Sequence, residues 1–96
     1  MSLQAQKHRE RIADVDYEIA KLDIKILGLQ EGVKNRLQQK ADNQKHNFPW
    51  RHEYQLGLEQ TELQIAIHEA EKAKFINELK FLRLMLQELL TPKADG

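Results

Sequence analysis

Between Ser2 and Thr91 this chain holds a single proline, Pro49, and it stands almost at the midpoint. Proline removes a backbone donor and drives the residue before it, here Phe48, out of the α region, so no straight helix runs through this point. The polar run from Asp42 to Asn47 just before it is rich in residues that favour turns and caps. The chain is therefore predicted to reverse here. The expected architecture is all-α: two long antiparallel helices forming one coiled-coil-like hairpin domain over residues 1–96. Helix 1 is expected over about residues 3–41, a turn over about 42–48, helix 2 over about 49–90, and a tail over 91–96. Proline is accepted in a first helical turn, so helix 2 is expected to start at Pro49, capped by Asn47 or Phe48, and to end ahead of Pro92.

The apolar spacing supports two helices. Ile12, Val15, Ile19, Leu22, Ile26, Leu29 and Val33 recur at alternating intervals of three and four, the a and d positions of a heptad. Leu58, Thr61, Ile65, His68, Lys72, Phe75, Leu79, Leu82, Leu86 and Leu89 keep the same rhythm, with a polar middle. An antiparallel hairpin sets Gly32 opposite Gly57 or Leu58. Facing glycines either let two backbones approach closely or are merely tolerated at about 1 kcal/mol each. One competing topology exists, because β-branched residues at a with leucine at d favour parallel two-stranded coils, which would pair helix 1 with its own copy.

One hairpin needs one apolar stripe per helix, and this chain has more. Helix 1 carries a second stripe of Ala13, Tyr17, Ala20, Ile24 and Leu27. The end of helix 2 is apolar around most of its circumference, with Phe75, Ile76, Leu79, Phe81, Leu82, Leu84, Met85, Leu86, Leu89 and Leu90 beside a narrow strip of Asn77, Lys80, Arg83 and Gln87. Only Leu3, Ala5, Ile12, Ala13 and Val15 of helix 1 face it, and a helix apolar all round is buried all round. The surplus predicts self-association through Tyr17, Ile24, Leu27, Phe75, Ile76, Phe81, Leu82, Leu84, Met85 and Leu89. A twofold dimer forming a four-helix bundle comes first, with higher oligomers open. Charges inside Phe75–Leu90 argue against a membrane span. With only Lys80 and Arg83 on its polar face, this segment also makes a poor surface-lying membrane helix.

Fifteen basic residues balance fifteen acidic ones, so any attraction to nucleic acid must be local. The absence of cysteine removes disulfides, thiolate catalysis and cysteine-ligated zinc, and fits a reducing, cytoplasmic setting. The hydroxyls besides tyrosine are Ser2, Thr61 and Thr91, and the glycines match no phosphate-binding loop. No catalytic residue, metal site or cofactor is expected. His46 and His52 flank the turn at a spacing that matches no standard zinc site. His68 lies in the helix 2 seam beside Lys72, where it reads first as part of a register-fixing polar layer and second as a pH switch.

The turn is where charge and aromaticity coincide. From residue 34 to 52, Lys34, Arg36, Lys40, Lys45 and Arg51 stand against Asp42 alone, and His46, Phe48, Trp50, His52 and Tyr54 are interleaved there. The aromatic rings are expected to do one of three things, ranked in this order: plug the hairpin end, anchor a protein, or stack on bases while the cations hold phosphates. The candidate partner-binding residues are Lys40, Lys45, His46, Phe48, Trp50, Arg51, His52 and Tyr54. The function expected is a non-catalytic protein–protein interaction module, an oligomeric hairpin of adaptor, chaperone or inhibitor type. The alternative is a small nucleic-acid- or nucleotide-binding regulator using the same tip.

Overall fold

The computed structural model describes residues 2–91, so Pro92 and the rest of the expected tail lie outside the described residues. Two helices pack along their length: α1 (Leu3–Lys45) and α2 (His52–Leu90). They form a rod of 76 × 23 × 16 Å. At its start, Ser2 accepts the Ala5 N–H on its Oγ at 3.1 Å and satisfies a donor that the first turn leaves orphaned. At the end of α2, the Thr91 hydroxyl donates to the Gln87 carbonyl at 2.6 Å.

The reversal falls later than the sequence predicts. α1 runs on through Lys45, and α2 starts at His52 rather than Pro49, so the connection is residues 46–51. Polar residues cost a solvent-exposed helix only a few tenths of a kcal/mol each, and Asp42 is tied back by Gln38 Nε2 at 3.2 Å. What ends α1 is one backbone conformation. Asn47 has φ 58°, the left-handed region that asparagine tolerates better than most residues. The Phe48 N–H then donates to the Asn43 carbonyl at 2.7 Å and the Asn47 N–H to Gln44 at 3.3 Å. These two bonds are the crossed pair of a Schellman cap. Pro49 follows in an extended stretch, and Arg51, also extended, caps α2 through its backbone, its carbonyl accepting the Tyr54 N–H at 3.0 Å.

Burial follows the a and d rhythm. Ala5, Val15, Leu22 and Ile26 of α1 and Leu58 and Leu79 of α2 are buried, and Val15 is the largest side chain completely enclosed. Ile12, Ile19, Leu29, Val33, Ile65, Phe75, Leu82 and Leu86 are half-buried in the same seam. Cross-helix ion pairs lock the antiparallel register. Arg11 grips Glu78 with two bonds, Nε–Oε1 at 2.7 Å and Nη2–Oε2 at 3.0 Å, and Lys72 meets Asp23 at 2.6 Å. The intrahelical pair Glu18–Lys21 also forms, at 3.0 Å. A Cβ placed on Gly28, Gly32 or Gly57 would meet nothing within 4 Å, so these glycines are tolerated and do not mark a close approach.

The two hydrogen bonds from Arg11 hold the Glu78 carboxyl below its usual range, against a weaker opposing push from desolvation. A carboxylate with a depressed folded-state pKa contributes stability above its unfolded value of about 4.3 and loses it as pH falls through the folded value. The melting temperature should therefore drop between about pH 5 and 3 more steeply in the native chain than in Glu78→Gln. Circular-dichroism melts of both across that range test this, and parallel curves would contradict it.

Candidate functional site at the hairpin tip

At the tip, aromatic and cationic side chains are sorted into two groups. The inner group is built on Gln55, at the first turn of α2. Its Oε1 accepts from Trp50 Nε1 at 3.0 Å and from Lys40 Nζ at 3.2 Å, and its Nε2 donates to Glu59 at 3.4 Å. Trp50 and Tyr54 pack tilted, with ring centroids 5.3 Å apart. Lys40 stands 5.8 Å from the Trp50 ring centre and Arg36 stands 5.6 Å from that of Tyr54. Cations at these distances are attracted by the ring quadrupoles. Trp50, Tyr54, Lys40 and Gln55 are all half-buried. The inner group thus closes the end of the seam, and it holds residues 48–51 extended by drawing Trp50 back onto α2.

The outer group faces water. Phe48 is 63% exposed and its ring lies 6.1 Å from that of His46. Lys45, Arg51 and His52 are exposed around it. The eight tip residues read from the sequence therefore divide: Lys40, Trp50 and Tyr54 serve the interior, whereas Lys45, His46, Phe48, Arg51 and His52 form an open basic-aromatic surface.

No family model matches this chain, and no curated protein or solved structure matches it. What it offers is read from its own surface. The rod has no pocket between its helices, and no three metal-ligating side chains gather among the described residues. No helix among them is long and apolar enough to cross a membrane. In the seam, His68 Nδ1 is enclosed without a hydrogen-bond partner and stands 3.8 Å from Glu71 Oε1. Lys72, the charge expected to oppose it, turns to Asp23 instead.

The apolar surplus divides as well. Tyr17, Leu27, Phe81, Leu84 and Leu89 are exposed, and Ile24, at 72%, is the most exposed of the large apolar side chains. Phe75, Ile76, Leu82 and Met85 are half-buried within the hairpin itself. Two further residues belong with the exposed set: Leu63 at 61% and Ile67 at 50%, on the back of α2. Their three-four spacing with Ala70 was present in the sequence, but Lys74 and Asn77 interrupt it before it reaches Phe81. Gln55 gave no such signal, because a glutamine on a helix surface looks the same whether it bridges two donors or faces water.

Proposed function

We propose that this protein is a non-catalytic protein–protein interaction module: a helical hairpin that self-associates along its outer faces and offers its tip to a partner protein. The observation that carries the reading is the imbalance of apolar surface. Six side chains are buried, while residues as large as Tyr17, Ile24, Phe81 and Leu84 lie open. Large apolar side chains left open on both helices point to an interaction site, and each one buried there contributes roughly 1.5–3 kcal/mol before association entropy is subtracted. The absence of cysteine supports a reducing, cytoplasmic setting for that assembly.

At the tip, the support for a protein partner over nucleic acid comes from what occupies the rings. Base stacking needs a free aromatic face, and Lys40 and Arg36 already stand beside Trp50 and Tyr54. Phe48 with Arg51 and His46 remains open, a pairing of aromatic and arginine typical of protein hot spots. Phe48→Ala with Arg51→Ala should leave helix content and oligomer mass unchanged and remove a partner from a nuclease-treated pull-down. Trp50→Ala should instead lower stability by about 1–2 kcal/mol, less than a fully buried tryptophan would cost. Salt-sensitive binding of a short single strand, lost in the Phe48/Arg51 variant, would overturn the ranking in favour of a nucleic-acid regulator.

A further inference from the structure

The exposed apolar residues stand in places that restrict how copies can meet. In a flat four-helix bundle each hairpin offers one flank, and with the seam at a and d those flanks are the e and g positions. Across the middle of this rod one flank is acidic on both helices, with Asp23 and Glu69, and along the other Glu18 and Glu71 outnumber Lys25. Packing like flanks together would gather carboxylates. The apolar residues stand on the backs instead, with Ala20, Ile24 and Leu27 at b and f of α1 and Leu63, Ile67 and Ala70 at c and f of α2.

The register fixes the heights of these two backs. Arg11 faces Glu78 and Asp23 faces Lys72, so Ile24 and Leu27 stand level with Ile67 and Leu63 on opposite sides of the same rod. Nearer the open end, the outer side of α1 carries Glu10 and Asp14, and that of α2 carries Lys74 and Lys80. None of these four makes an ion pair among the described residues. The two backs are therefore apolar at one height and opposite in charge at the next.

We propose that the back of α1 in one copy receives the back of α2 in a second copy standing parallel to it. This seats Ile24 and Leu27 against Ile67 and Leu63, and sets Glu10 and Asp14 beside Lys74 and Lys80. The contact joins unlike faces, so each copy still has one back free for the next. It closes only as a ring of three or more copies, or continues as a row. A twofold contact through α1 alone would leave the α2 back in water. Of the assemblies the sequence allows, the backs select the higher oligomer, and parallel standing gathers every tip at one end. A partner with several epitopes then meets several tips at high effective concentration. The inference rests on the self-association proposed above.

A chain without cysteine allows a direct test. Ile24→Cys and Ile67→Cys are prepared separately, checked for unchanged helix content, and treated with a short bis-maleimide alone and as an equal mixture. Crosslinked dimer is expected in the mixture and not in either variant alone, and the double variant should give a ladder of multiples. Light scattering of the native chain should give at least three chains. Self-crosslinking of Ile24→Cys alone would overturn the unlike-face contact in favour of a twofold one. An oligomer that gives no crosslink in any sample would also overturn it, leaving self-association standing. A monomer at all concentrations would remove both.

Discussion

Replacing Phe81 and Leu84 with glutamate is expected to reduce the proposed assembly to single chains of 11.3 kDa and to lower the melting temperature sharply. Neither side chain belongs to the intrachain seam, and both are more than half exposed in the hairpin. Their loss therefore reports on contact with another copy rather than on the fold of one. Charge placed in a dry interface costs several kcal/mol unless it is paired. Six buried side chains leave a lone hairpin little reserve against the entropy of ordering its residues. Light scattering and thermal melts at matched concentration check both effects. A variant that kept the native mass and melting temperature would show that the Phe81 and Leu84 end of the open surface has no role in assembly.

The opposite sign is expected at Gly28, Gly32 and Gly57. All three lie inside helices with negative φ and open space where a Cβ would stand. Alanine is about 1 kcal/mol better than glycine in a helix interior, and sites this far apart along the rod add nearly independently. Gly28→Ala, Gly32→Ala and Gly57→Ala combined should stabilise the protein by about 2–3 kcal/mol, read as a higher denaturation midpoint. Loss of stability or a change in oligomer mass would mean that another copy approaches the backbone there.

Much of the fold was legible because coiled-coil packing writes itself into spacing. Ile12 to Val33 and Leu58 to Leu89 predicted the seam, and Pro49 predicted that it folds back. The turn was misplaced because residues 42–45 were read by composition. Asp, Asn, Gln and Lys are indifferent to an exposed helix, and the deciding property, the left-handed backbone of Asn47, is a choice made by one residue. At the tip, the closeness of Trp50 and Tyr54 follows from their spacing. Their division of labour with Phe48 does not, because it hangs on the Gln55 side chain. Along α2, the back stripe at Leu63 and Ile67 was hidden by the stronger seam pattern running beside it.

The shared acceptor at Gln55 also orders events as the chain folds. Lys40 and Gln55 are 15 residues apart, whereas Arg11 and Glu78 are 67 apart. Closing the longer loop directly costs about 1.3 kcal/mol more in chain entropy than closing the shorter one. Pairing is therefore expected to nucleate at the tip and zip toward the open end, each turn of helix bringing the next into reach. On that order, changes around Gln55 should slow folding, and changes around Arg11 and Glu78 should hasten unfolding.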